Sequence, residues 1–308
     1  MDIFLQQLIN GLVLGSVYAL VALGYTMVYG ILELINFAHG EVTMIGAMVA
    51  LSVIGALVGH VALPGVVIVA MGVLVAVPVC MLLGFTIERV AYRPLRHAPR
   101  LAPLITAIGV SILLQNLAMI IWGREYVKFP PILSSATHQV AGATISDLQI
   151  FILVLSLLIM AGLVALVQKT KLGRAMRATA QAPQVAALMG VNVNSVISLT
   201  FIIGSAIAAI AGVMVAAYYG LAHYYMGFML GLKAFTAAVL GGIGNLAGAM
   251  LGGLLLGVIE SLGAGYIGDI TGGFMGSNYQ DVFAFFVLIL VLVLRPSGLL
   301  GEQVGERA

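Results

Sequence analysis

Charge is what this sequence lacks most. Of its 308 residues, 8% are charged and 62% are hydrophobic, whereas a soluble domain carries about 25% charged residues. So few charges cannot cover a water-exposed surface, and the composition places the chain among polytopic membrane proteins. Cysteine is nearly absent. Cys80 stands alone in an apolar run, which excludes an internal disulfide and a cysteine metal site. The net charge of +2 is too small to suggest nucleic acid. Catalytic signatures are missing as well. There is no Gly-x-x-x-x-Gly-Lys-Ser/Thr phosphate loop, so the chain has no such route to ATP hydrolysis. His-Glu-x-x-His and Gly-x-Ser-x-Gly are also absent. The start, Met1-Asp2-Ile3-Phe4, has no basic region and no small-residue cleavage site follows it. The first apolar run therefore reads as a retained span.

Apolar runs are what the chain has in abundance. A helix needs about 20 apolar residues to cross the hydrocarbon core. Runs of about that length fall at 8–29, 42–59, 66–87, 104–122, 148–167, 196–219, 228–243, 246–267 and 282–294. The seventh and ninth are short. The expected fold is an all-α polytopic membrane protein with eight or nine transmembrane helices, some broken or re-entrant. Residues 1–308 are expected to form one transmembrane domain.

Basic residues set the orientation. Arg89, Arg93, Arg96 and Arg100 share one loop. Lys169, Lys171, Arg174 and Arg177 share another, and Arg295 and Arg307 lie near the C-terminus. These are expected to be cytoplasmic, which puts the C-terminus inside. Nine crossings put the N-terminus outside, and a re-entrant 228–243 reverses it. The segments 123–147 and 267–281, the latter with Gly272, Gly273, Gly276, Ser277 and Asn278, read as irregular external loops. A weak echo relates the first three runs, ending in Tyr92-Arg93-Pro94-Leu95, to the last three, ending in Leu294-Arg295-Pro296-Ser297. Such repeats occur in transporters, and chance produces the same pattern.

Glycines at four-residue spacing (Gly11 and Gly15; Gly244, Gly248 and Gly252; Gly253 and Gly257) read as packing devices between helices. The cluster 241–248 separates two runs. It lacks the strand that a dinucleotide fingerprint needs and reads as a helix break facing a cavity.

Polar groups inside apolar runs are functional candidates by default. Glu33, His39, Glu41, Lys233 and Glu260 qualify by charge, and Asn36, Gln115, Asn116 and Thr236 by polarity. Asn36 is expected to cap the next helix. His39 and Glu41 are open to a pathway role or a structural one. A metal site is not expected: the two stand two residues apart, off one helical face, with no second histidine nearby. Gln115 and Asn116 are expected to bind neighbouring helices. A proton relay through His39, Glu41 or Glu260 would make the chain a secondary transporter, which is the competing class.

The stretch 169–195 is the longest polar loop on the cytoplasmic side. Within it, 184–189 is expected to form a short helix, started by Pro183 and ended by Gly190, that turns Val185, Leu188 and Met189 outward. An ordinary solvated connector is the alternative.

These residues carry a resemblance. Gln184-Val185-Ala186-Ala187-Leu188-Met189-Gly190 is similar to the Glu-Ala-Ala-x-x-x-Gly loop of ABC importer permeases, with Gln184 in place of the acidic residue. "GYTMVYGILELINFAHGEVTMIGA", "IERVAYRPLR", "LGRAMRA" and "GLKAFTAAVLGGIGNLAGAMLGGLLLGVIE" resemble the LivH-type permease subunit of branched-chain amino acid ABC importers, over nearly the whole chain and in order. The resemblance implies the ABC importer permease fold in a bacterial inner membrane, with import of leucine, isoleucine or valine delivered by a periplasmic binding protein. It implies a LivM-type second permease and two ATPases, of the LivG and LivF types, which carry ATP and Mg; no cofactor is expected in this chain. It implies ATPase docking by Gln184, Val185, Ala186, Ala187, Leu188, Met189 and Gly190. Candidates for the translocation pathway are Asn36, His39, Glu41, Gln115, Asn116 and Thr236. Importers of urea or short-chain amides have closely related permeases, so the substrate rests on the resemblance alone.

Overall fold

The computed structural model describes residues 2–272 and 279–301, except 97, 100, 134, 135 and 141. Arg100, Arg307 and the stretch 273–278 lie outside the described residues. All nine apolar runs are helical: α1 (Asp2–Leu32), α2 (His39–Leu57), α3 (Gly65–Thr86), α4 (Leu101–Trp122), α5 (Asp147–Lys169), α8 (Val193–Tyr219), α9 (Met226–Gly241), α10 (Leu246–Ile270) and α11 (Gln280–Leu294). Between α5 and α8 lie two short helices, α6 (Lys171–Gln181) and α7 (Pro183–Leu188). Among the described residues, seven helices are long and apolar enough to cross a membrane, while α9 and α11 are shorter apolar helices.

Several helices outrun their apolar cores because polar side chains near the ends find partners. Helix α1 starts well before residue 8. Gln6 there exchanges two hydrogen bonds with the Thr144 backbone, accepting from N at 2.8 Å and donating to O at 3.0 Å. Asn10 accepts from Gln149 at 3.1 Å. Gln6 thus acts as a neighbouring strand would for a β-hairpin, β2 (Thr137–Val140) with β3 (Ala143–Ser146). The segment expected to be irregular therefore holds ordered strands. Its first part, β1 (Val127–Lys128), pairs antiparallel with β4 (Leu221–Ala222), which follows α8.

The chain forms two compact units, one within Met1–Thr26, Ser135–Leu158 and Lys233–Ala308, the other within Met27–Ser134 and Ile159–Leu232. In the second unit, α2, α3 and α8 form the core. Helix α2 is buried almost all round from His39 to Leu51. It packs closely because the contacts are backbone to backbone: a Cβ on Gly46 would sit 2.5 Å from Ala209 Cα of α8. Lipid offers no hydrophobic drive for helix association, so such close approach supplies the packing energy. Helix α4 buries a narrow stripe, Pro103, Ala107, Ser111, Leu114 and Ala118, and leaves Ile112, Leu113, Ile120 and Ile121 exposed. Helix α3 continues past residue 87 through a π-helical stretch, Ile87–Tyr92, and a 3-10 turn, Arg93–Leu95. The two Arg-Pro sequences thus differ: the first prolongs a helix, and the second follows the end of α11.

In the first unit the glycine spacing serves close packing as expected. A Cβ on Gly11 would lie 2.7 Å from Val258 Cα, and one on Gly15 would lie 2.7 Å from Leu254 O. Gly244 departs from this. It has open space around it and a φ of +94°, so it makes the turn between α9 and α10. The break at 241–245 is closed by hydrogen bonds from the chain after α11. Backbone N–H groups of Leu299 and Leu300 donate to Leu240 O and Gly241 O, both at 2.9 Å. Asn245 donates to Leu300 O at 2.9 Å and accepts from Gly248 N at 3.1 Å. The chain after α11 satisfies the carbonyls that the helix end leaves open.

Candidate functional site

The stretch Asn36–Glu41 joins the end of α1 to the buried helix α2. Leaving α1, Glu33 is exposed and takes φ +53°, a left-handed conformation uncommon for a side-chain-bearing residue. Asn36 does not cap α2, contrary to expectation. The residue before the helix is Ala38, in a helical conformation and without a side-chain cap. The Asn36 side chain points elsewhere: its Oδ1 accepts from the Tyr92 hydroxyl at 3.0 Å. Its backbone O accepts from His39 N at 3.0 Å. The first turn of α2 instead carries Glu41. His39 opens α2 and is 2% exposed.

Glu41 is fully buried, at 0% exposure. Its Oε1 accepts from Gln115 Nε2 at 2.7 Å and from Ser111 Oγ at 3.1 Å, both on α4. Ser111 stands near the middle of this 22-residue helix, so the carboxylate meets α4 roughly 15 Å from either end at 1.5 Å per residue. Glu41 Oε2 is buried and has no hydrogen-bond partner among the described residues. It lies against Gly227 in the first turn of α9, where a Cβ would also meet Gly40 O at 2.7 Å. Glycine at 227 is what lets α9 approach this carboxylate. Gly227→Val is expected to destabilise the protein by about 1–3 kcal/mol, the range for overpacking a filled core. A lowered unfolding midpoint in detergent reads this out; an unchanged midpoint contradicts the packing.

Five of the six pathway candidates lie in the second unit. Gln115 and Glu41 meet, and Asn36 is tied to Tyr92. Asn116 is off the buried stripe of α4, exposed, and bonds back to Ile112 O of its own helix at 2.8 Å. It therefore does not bind a neighbouring helix as expected. Thr236 is buried in the other unit, on α9.

Two polar clusters were only partly visible in the sequence. In the first unit, Lys233 pairs with Glu260 at 2.7 Å and with Asp281 at 2.8 Å, and Tyr18 donates to Glu260 at 3.2 Å. Lys233 and Glu260 stand out by charge; Asp281 sits at the edge of a run and Tyr18 carries no charge. In the second unit, Glu88, at 0% exposure, pairs with Arg96 and accepts from Ser198 Oγ at 2.6 Å. Glu88 follows an apolar run directly and reads from sequence as the start of a solvated loop.

The loop between α5 and α8 holds the expected short helix. In α7, Ala186 is buried at 4% exposure, while Val185, Leu188 and Met189 are exposed at 57%, 86% and 80%. Pro183 starts the helix and Gly190, at φ +85°, follows its end. A six-residue helix that, with the Met189 that follows it, turns three large apolar side chains outward has no packing reason of its own to do so.

A family model described as branched-chain amino acid transport system / permease component matches residues 7–292. The chain is 48% identical to the high-affinity branched-chain amino acid transport system permease protein BraD of Pseudomonas aeruginosa, over 99% of this chain and 98% of that one. It is 46% identical to the high-affinity permease LivH of Escherichia coli K12, over 99% and 97%. A probable branched-chain amino acid transport permease protein LivH of Methanocaldococcus jannaschii is 27% identical, over 97% and 94%. No solved structure matches the chain significantly. With its seven long apolar helices, the chain is a multi-pass membrane protein.

Proposed function

The chain belongs to the branched-chain amino acid transport permease family, and we propose that it is a permease subunit of an ATP-binding-cassette importer for leucine, isoleucine and valine. One observation carries this reading: the similarity to BraD and LivH permeases covers 99% of the chain. A second permease subunit of the LivM type completes the pathway, a periplasmic binding protein delivers the substrate, and two ATPases of the LivG and LivF types supply the energy. Gln184–Gly190 dock one ATPase, with Leu188 and Met189 as the protruding contacts. The basic residues near α6 and after α3 support a cytoplasmic location for these segments and for the C-terminus, in a bacterial inner membrane. ATP-driven closure of the ATPases shifts the permease pair between outward-open and inward-open states. Asn36, His39, Glu41, Gln115, Asn116 and Thr236 remain the proposed pathway set. The fully buried Glu41 favours a role in holding α2, α4 and α9 together in the state seen here.

The test is uptake in a strain that lacks its own branched-chain permease. Expression of this chain with its four partner subunits is expected to restore uptake of labelled leucine and to leave urea uptake unchanged. Restored urea uptake without leucine uptake moves the substrate to the amide class; restoration of neither overturns the importer reading.

A further inference from the structure

We propose that Glu88, Arg96, Tyr92 and Asn36 form a polar linkage that carries movement of α7 to the start of α2, which makes them positioning residues for transport. The proposal rests on the docking role given to α7 above. Each step lies within the second compact unit.

The linkage starts where α7 joins α8. After Leu188 the chain turns at Gly190, and Val191 N donates back to Ala186 O at 3.0 Å. Asn192 then caps α8, accepting from Ser195 N at 3.1 Å. The docking helix and the first turn of α8 are thus joined by four residues, 189–192, with little slack. From the first two turns of α8 two contacts reach the extension of α3. Arg96 donates to Asn194 Oδ1 at 2.7 Å, and Ser198 Oγ donates to Glu88 Oε2 at 2.6 Å. Arg96 pairs with the other Glu88 oxygen, so both carboxylate oxygens are occupied at 0% exposure. A buried carboxylate cannot leave these donors without a large penalty, so α8 and the α3 extension move together.

The π-helical stretch then turns Tyr92 toward α2. π-turns are rare and gather at functional sites. Tyr92, at 1% exposure, packs against Phe201 of α8 with ring centroids 5.4 Å apart and planes tilted by 55°. Its hydroxyl donates to Asn36 Oδ1 at 3.0 Å, and Asn36 O accepts from His39 N. Asn36 lies in the non-helical link between α1 and α2, where a small push can reorient α2 without breaking a helix. Helix α2 carries Glu41.

The test uses the full complex, with both permeases and both ATPases, reconstituted in proteoliposomes with the binding protein. Tyr92→Phe removes one hydroxyl at the far end of the linkage. Asn194→Ala removes the Arg96 contact at the near end and alters only an exposed side chain. Each variant is expected to retain both ATPases on purification and to hydrolyse ATP within about twofold of the parent. Leucine imported per ATP is expected to fall about two- to tenfold in each, the range for one hydrogen bond. The double variant is expected to lose no more than the worse single one, because both cut one linkage. Parent-like import per ATP in Tyr92→Phe, or losses that multiply in the double variant, overturns the linkage. A parent complex that does not retain its ATPases overturns the docking reading and this proposal with it.

Discussion

Lys233→Met is expected to leave little folded protein in the membrane. Lys233 stands between two carboxylates. Its Nζ lies 2.7 Å from Glu260 and 2.8 Å from Asp281, with Tyr18 Oη at 3.3 Å. These partners come from α10, α11 and α1, so one side chain of α9 ties four helices. Glu260 is 1% exposed, and its second oxygen has no hydrogen-bond partner among the described residues. Without the lysine, a buried negative charge has no counter-charge. Breaking a buried pair by removing one partner costs about 3–5 kcal/mol, a large share of a typical stability of about 5–15 kcal/mol. The triple variant Lys233→Met, Glu260→Gln, Asp281→Asn removes all three charges and is expected to recover most of the loss. Size-exclusion profiles and unfolding midpoints in detergent check both. A monodisperse Lys233→Met protein with an unshifted midpoint contradicts the role given to the cluster.

Leu188→Glu is expected to have the opposite profile, with normal folding and failed assembly. Leu188 is 86% exposed, and surface substitutions of that kind usually change stability by less than about 0.5 kcal/mol. A central apolar contact of an interface is worth about 2 kcal/mol or more, roughly 30-fold in affinity. The variant should insert, keep the parent's unfolding midpoint and lose one ATPase on purification. Ala186→Asp, altering the buried neighbour at 4% exposure, should instead damage the fold. Retention of both ATPases by Leu188→Glu would mean that another surface docks them.

The helices were legible because span length and apolar composition are properties of single segments. Start and end points were less so, since they depend on partners far along the chain: α1 begins early because Gln6 meets Thr144. The partners that close the break at 241–245, Leu299 and Leu300, lie more than fifty residues away and cannot be read locally. Asn36 shows the same limit. Its position before a helix fits a cap, and only the fold reveals that Tyr92 competes for the side chain. Asn116 and Gln115 are neighbours in sequence, yet a 100° step around α4 puts one toward Glu41 and the other outside the buried stripe. The α7 surface was legible in advance because Pro183, Gly190 and the apolar spacing between them act locally.

The most direct measurement of the central claim is leucine uptake into proteoliposomes holding this chain, its second permease and both ATPases, with binding protein outside, ATP inside and any proton gradient collapsed. Uptake that needs ATP and binding protein and is abolished by Leu188→Glu is the predicted result. Uptake that proceeds without ATP and follows an imposed proton gradient would contradict the account and assign the chain to secondary transport.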